Sequence, residues 1–189
     1  VLVCGCGGAR VRVKWRHVGL LDRNTSYVFV ANHQSAYDIF TVYGYLGHNF
    51  RWMMKRSLRK IPLIGYSCEK SGQIYVDNSS PAATRRTMEE AERRLAGGMS
   101  IVVFPEGSRT HTGKIRRFKK GAYRLAMEFN LPVVPVTIDG AFDVMPRFKK
   151  LPHWGTITLT VHNPIVAPAE GHDLQTVMDE SFAAISSAL

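Results

Sequence analysis

Apolar and polar positions alternate with two different periods along the chain. From Arg10 to Arg16, Val11, Val13 and Trp15 alternate with Arg10, Arg12, Lys14 and Arg16, which predicts a half-exposed strand. Asp22-Arg23-Asn24-Thr25 reads as a turn, and Tyr27 to Ala31 as a short strand buried on both faces. That run ends abruptly in Asn32-His33-Gln34-Ser35-Ala36-Tyr37-Asp38, where Ser35 with Asp38 three residues on has the form of a capping box opening a helix. Gln73–Asp77, Ile101–Phe104, Val133–Ile138 and Thr156–Val161 predict further strands. Pro135 cannot donate to a ladder, which predicts an edge or a bulge there.

Helical periods fill the intervals. Ser80-Pro81 caps and opens a helix that Gly97-Gly98 closes. Its Arg85/Glu89/Arg93 and Arg86/Glu90/Arg94 rows sit four apart, surface pairs worth about 0.2–0.5 kcal/mol each. Gly121 to Phe129 predicts another helix, and Leu174, Val177, Met178, Phe182, Ile185 and Leu189 share one face of a last one. Strands alternating with helices imply one α/β layered domain over residues 1–189, a mixed, mostly parallel sheet flanked by helices; the short early strands leave room for antiparallel pairing.

Charge narrows the partners. A net charge of +10 and a pI near 9.8 point to an anionic one: nucleic acid, a phospholipid surface or a phosphorylated substrate. Two clusters carry much of it. Arg51, Lys55, Arg56, Arg59 and Lys60 are interleaved with Trp52, Met53, Met54 and Leu58, which suits a membrane-surface patch, a nucleic-acid groove, or an ordinary helix with a solvated basic face. Lys114, Arg116, Arg117, Lys119 and Lys120 form the second. The odd set Cys4, Cys6 and Cys68 has no CxxC pair, which argues against a disulfide framework or zinc ribbon and for a reducing compartment. No apolar run reaches the roughly 18 residues of a membrane-spanning helix. The apolar start, Val1 to Ala9, reads either as a buried first element or as the tail of a longer hydrophobic segment.

Several motifs fail on inspection. Gly107 to Gly113-Lys114 has five residues between its glycines where a P-loop needs four, and Ile115 stands in place of the magnesium-binding hydroxyl. Gly65-Tyr66-Ser67-Cys68-Glu69 lacks the last glycine of a nucleophile elbow. No H-E-x-x-H occurs. What remains is a histidine, His33, with a carboxylate, Asp38, five residues on. A histidine moves protons near neutral pH, and a carboxylate beside it can fix the tautomer. Asp38 could equally be only the cap of its own helix. Without a protein nucleophile, the substrate must bring one, most simply a hydroxyl. Glu106-Gly107-Ser108-Arg109-Thr110 lies just past the end of a strand, where α/β folds bind ligands. Arg109 offers a fork for a phosphate and Gly107 lets backbone approach it, although Arg109 could instead form a surface ion pair with Glu106 or a neighbour.

Asn32-His33-(four residues)-Asp38 together with Phe104-Pro105-Glu106-Gly107-Ser108-Arg109-Thr110 resembles the glycerolipid acyltransferase family, in particular the 1-acylglycerol-3-phosphate acyltransferases. Lys55-Arg56-Ser57-Leu58 leading to Ile61-Pro62-Leu63-Ile64-Gly65, Phe118-Lys119-Lys120-Gly121-Ala122 and Val133-Val134-Pro135-Val136 resemble further blocks in the same order. The similarity covers about residues 10–164. It implies acyl transfer from a thioester on coenzyme A or acyl carrier protein to the free hydroxyl of a lysophospholipid, making phosphatidic acid, without a metal, a cofactor or a covalent acyl-enzyme. His33 would be the general base and Asp38 its orienting acid. Glu106, Gly107 and Arg109 would hold the acceptor phosphate, with Ser108 and Thr110 beside them and Lys55 as a second cation. Pro135 and its neighbours would line the acyl or donor side. The resemblance also implies a place on the cytoplasmic face of an anionic membrane and a membrane-associating segment upstream. Asn78 stands where many members have an arginine, and Ser108-Arg109-Thr110 reverses the commoner hydroxyl order. Two competing readings differ in kind: an acyltransferase for another lysolipid or an ornithine lipid, and a basic nucleic-acid-binding module. The second lacks any RNA- or DNA-binding signature.

Overall fold

The strand-like runs assemble into one eight-stranded sheet in a computed structural model that describes residues 2–4, 9–15, 21–77, 79–95, 98–149, 151–166 and 173–189. The strands are β1 (Leu2–Cys4), β2 (Ala9–Trp15), β3 (Val28–Ala31), β4 (Phe50–Lys55), β5 (Ile74–Val76), β6 (Ser100–Val103), β7 (Val133–Asp139) and β8 (Gly155–Val161). Their order is β1-β2-β8-β7-β3-β6-β4-β5. Pairing is antiparallel at β1–β2 and β7–β8 and parallel at the other five junctions, so the expected mixed, mostly parallel sheet is present. The helices are α1 (Tyr37–Tyr45), α2 (Ile64–Lys70), α3 (Pro81–Leu95), α4 (Gly121–Glu128), α5 (Ala141–Val144) and α6 (Leu174–Ser186).

Burial follows from the pleat. On β3, Phe29 and Ala31 join one apolar cluster with residues of α1, α5 and β8, while Val28 and Val30 join another with residues of α3, α4 and α6. All four are fully buried, as a central strand with helices on both faces requires. On β2 the period of two holds for the side chains described: Arg10, Arg12 and Lys14 are exposed. Ser80 Oγ accepts the N–H of Ala83 (3.1 Å) to cap α3; the expected closing residue Gly97 lies outside the described residues. On α6, Asp173 Oδ1 caps Thr176 N (2.8 Å) and Val177, Met178 and Ile185 are buried, whereas Phe182 and Leu189 lie on the exposed margin of that face.

Two expectations need correction. Arg51–Lys60 is not a helix with a basic face: it is β4 followed by a 3-10 helix over Arg56–Lys60. Phe50 and Trp52 alternate inward with the strand period, and that burial outweighs any helical preference of the segment. Pro135 is not on an edge, because β7 runs between β3 and β8. The bulge alternative describes it instead. Val136 pairs with Val161 and Val133 with Ile165, so residues 134–135 face three residues, 162–164. The Pro135 carbonyl still accepts His162 N–H (3.0 Å), and the irregular stretch beside it needs no proline N–H.

Gly140 closes β7 at φ +80°, and a Cβ there would lie 2.3 Å from the Thr156 carbonyl oxygen. Gly140→Ala is therefore expected to cost at least about 2 kcal/mol, through left-handed backbone and a clash with rigid main chain. Urea unfolding should show a lower midpoint with an unchanged slope; an unchanged midpoint would contradict the geometry.

Candidate active site

The parallel ends of β3, β6 and β4 open at one edge of the sheet, and the polar residues past β3 are held there by main chain. Asn32 extends the ladder with its side chain: Nδ2 donates to the Ile138 carbonyl and Oδ1 accepts the Ile138 N–H, both at 2.8 Å. The next residue, His33, donates its N–H to Glu106 Oε1 (2.8 Å) and accepts the Thr110 N–H on its carbonyl (2.8 Å). The turn after β6 thus grips the histidine backbone from both sides.

The ring is fixed as firmly. His33 Nδ1 lies 2.7 Å from Asp38 Oδ2, and the imidazole stacks on Phe104 at 3.9 Å between centroids and 4° between planes. Phe104 in turn stacks on buried Trp52 at 4.9 Å. The Asp38 side chain is wholly buried; that of His33 is 14 % exposed. With Nδ1–H donated to Asp38, Nε2 is the nitrogen left to accept a proton.

The expected capping box is present only in half. The N-cap of α1 is Ala36, without a side-chain bond. Ser35 Oγ instead accepts Tyr37 N–H (3.2 Å) and donates to the Met145 carbonyl (2.8 Å). Asp38 does reach back, its Oδ2 accepting Gln34 N–H (2.7 Å) and Ser35 N–H (2.8 Å) as well as His33. Those donors offset the cost of burying a carboxylate, so capping and orienting are one function here.

Glu106 is buried, with both oxygens occupied: Oε1 by His33 N–H and Oε2 by Arg116 N–H (3.0 Å). Burial raises its carboxyl above the ordinary range, against the pull of those two N–H groups and of Arg116. A buried anion without a free donor cannot grip a phosphate, which corrects its expected role. It is a strut between the His33 loop and the basic stretch. Thr110 is corrected similarly: it is buried, its hydroxyl donating to the Lys114 carbonyl (2.8 Å) and accepting Thr112 N–H (3.2 Å). Pro135 is buried beside Val30 and alternates with Val134 and Val136, which belong to the α1–α5 cluster, so it faces the opposite side of the sheet from the His33 stack.

The remaining phosphate-site candidates stay available. Gly107 has φ +75°, which turns the chain under Ser108 and Arg109. Ser108 accepts on both its carbonyl (2.9 Å) and its hydroxyl (2.6 Å) from Arg116 Nη2. Arg109 is half-buried, its carbonyl held by Arg147 (3.3 Å). Glu106 pairs with Arg116, at 3.6 Å, and no described carboxylate pairs with Arg109. Lys55 is exposed at the carboxyl end of β4, whose Met53 is in register with Val103 of β6. Asn78 lies outside the described residues. Among the described residues, no group of three or more His, Cys, Asp or Glu could hold a metal.

The family model described as Acyltransferase matches residues 12–139. This chain belongs to the Acyltransferase family. Similar relatives are the chloroplastic 1-acyl-sn-glycerol-3-phosphate acyltransferase BAT2 of Brassica napus, 32% identical over 77% of this chain and 42% of that protein, and the human 1-acyl-sn-glycerol-3-phosphate acyltransferase alpha, 30% identical over 87% of this chain and 57% of its own length. The crystal structure of the 1-acyl-sn-glycerophosphate acyltransferase PlsC from Thermotoga maritima superposes with a TM-score of 0.76 at 25% identity, covering 93% of this chain and 70% of that one. The chain spans about half the length of the curated relatives it matches. In this acyltransferase domain, the sequence pattern missed the His33–Phe104–Trp52 stack and the clamp of Arg116 on Ser108. The only sequence signals were an aromatic at the end of a strand and one of two arginines in a cluster of five cations.

Proposed function

We propose that this chain transfers an acyl group from an acyl thioester to the free hydroxyl of 1-acylglycerol-3-phosphate, giving phosphatidic acid. The observation that carries the proposal is the buried Asp38 bonded to His33 Nδ1, in a site where no described side chain other than Asp38 is bonded to that imidazole. The acceptor hydroxyl approaches Nε2, which takes its proton as the oxygen attacks the thioester carbonyl carbon. Asp38 stabilises the imidazolium that forms. The tetrahedral intermediate collapses with cleavage of the C–S bond, and the departing sulfur receives the proton from His33, leaving a free thiol and the new ester. Atoms and charge balance without a covalent enzyme intermediate.

Arg109, with no described carboxylate to neutralise it, is the first candidate for the acceptor phosphate, and exposed Lys55 is the second. Arg109→Ala is expected to raise the KM of a phosphate-bearing acceptor about tenfold or more, as the loss of a charge-assisted bond implies, and to leave a phosphate-free acceptor nearly unaffected. Equal effects on both would remove Arg109 from the phosphate site. The net charge of +10 supports work at an anionic membrane surface on the cytoplasmic face. No helix among the described residues is long and apolar enough to cross a membrane. A panel of lysolipid acceptors with one fixed donor tests the acceptor: preference for another head group or an ornithine lipid would replace lysophosphatidic acid in the proposal.

A further inference from the structure

Among the described residues, Arg116 is the member of the second basic cluster whose side chain is bonded to the loop after β6. Its main chain and its side chain do separate things there. The Arg116 N–H is bonded to Glu106 Oε2 (3.0 Å), and Glu106 Oε1 to the His33 N–H (2.8 Å), so the hold on the base needs only the main chain of Arg116. The guanidinium grips the turn instead. Nη2 donates to the carbonyls of Glu106 (3.2 Å) and Ser108 (2.9 Å), on either side of Gly107 at φ +75°, and to Ser108 Oγ (2.6 Å). Two donors are left over by this grip. Across a trans peptide the C=O and the next N–H point opposite ways, so a Ser108 carbonyl turned to Arg116 turns the Arg109 N–H away from it. That N–H has no partner among the described residues, whereas the Gly107 N–H goes to the Phe104 carbonyl (2.9 Å) and the Thr110 N–H to the His33 carbonyl (2.8 Å). Arg147 holds the Arg109 carbonyl (3.3 Å), so the peptides on both sides of Arg109 have a fixed direction. Ser108 Oγ, already accepting from a cation, keeps its own hydrogen and donates it to no described residue.

We propose that Arg116 is a positioning residue for the acceptor phosphate: its guanidinium shapes the turn over residues 107–109 so that the Ser108 hydroxyl and the Arg109 N–H donate to phosphate oxygens beside the Arg109 guanidinium. The proposal rests on the reading of this chain as an acyltransferase for a phosphate-bearing acceptor and deepens it by naming what orders the site. A phosphate offers more acceptor positions than one guanidinium fork fills, and donors fixed before it arrives cost no ordering on binding. Arg116 Nη2 is occupied by three oxygens of the turn, so this residue acts through Ser108 and Arg109. Removing the guanidinium frees the turn but not His33, because Glu106 keeps both of its N–H partners.

Arg116→Ala is expected to raise the KM of a short-chain lysophosphatidic acid about tenfold and to change kcat less than about threefold, with no such rise for a phosphate-free monoacylglycerol acceptor. Ser108→Ala, which removes one hydroxyl and no main-chain bond, should raise the same KM several-fold. Because Arg116 acts through Ser108 and its turn, the KM of the double variant should fall well short of the product of the two single effects. An unchanged KM in Arg116→Ala overturns the proposal, as does a loss of kcat shared by both acceptors, which belongs to a loosened base. Multiplicative KM effects overturn it in favour of a direct contact between Arg116 and the phosphate. Calorimetry of wild type and Arg116→Ala with the same lysophosphatidic acid reads the site without turnover. Binding about tenfold weaker in the variant, in a protein that transfers no acyl group, would end the acyl-transfer reading and leave this one standing. Equal binding by both proteins overturns this one, whether or not transfer occurs.

Discussion

His33→Ala is expected to lower kcat for acyl transfer by about 10²–10⁴-fold, the contribution of a positioned general base, with the fold intact. The imidazole is the one group at this site with a bond to a buried carboxylate on one nitrogen and the other nitrogen left to accept a proton. Its removal leaves Asp38 with two main-chain donors, Gln34 and Ser35 N–H, so the carboxylate remains partnered and α1 keeps its anchor. The stability cost comprises the stack on Phe104, about 0.5–1.5 kcal/mol for such a ring pair, and the lost bond from Nδ1 to Asp38. Asp38→Asn should show a loss of similar order, because an amide supplies no negative charge to stabilise the imidazolium. Turnover of purified His33→Ala near that of wild type, measured with a labelled acyl thioester, would sink the mechanism.

How much of this site was legible in the sequence depends on what kind of partner each residue takes. His33 and Asp38 are five residues apart across a strand–helix junction, so local geometry alone brings them together, and the pattern of types could be read. Glu106 was misassigned because its partners are the backbone N–H groups of His33, 73 residues away, and of Arg116. Main-chain donors leave no trace in residue identity, and an acid beside an arginine in a ligand-binding loop invites a substrate role. Pro135 was half-read for a related reason. A proline forbids a ladder bond wherever it stands, but the placement of the bulge beside a central strand depends on where β8 returns. At Arg51–Lys60 the strand and helix periods compete over a short span, and only the cluster that buries Phe50 and Trp52 decides between them. The exposed cations of β2, the apolar run of β3 and the N-cap of α3 required no such long-range information, and they stand as read.

Glu106→Ala is expected to damage both stability and rate, and the form of the damage separates a strut from a phosphate ligand. Two N–H groups, of His33 and Arg116, lose their acceptors, at about 1–3 kcal/mol each where they stay buried. Relief from burying the carboxylate returns part of that. Glu106→Gln is not a rescue: its single carbonyl oxygen can serve one N–H, while its amide would point donors at the other. The pH dependence has a definite sign. Because burial raises this carboxyl in the folded state, its titration favours folding fully below the ordinary carboxylate range, and that contribution is lost as pH rises through the raised value. The glutamine variant cannot titrate there, so its stability deficit relative to wild type should shrink across that window. The kinetic test is the split between constants. Loosening the His33 backbone displaces the base for every acceptor, so kcat should fall alike for phosphate-bearing and phosphate-free lysolipids with little change in KM. A rise in KM confined to the phosphate-bearing acceptor would return Glu106 to the binding site; a shared loss of kcat keeps it as the residue that holds the base in place.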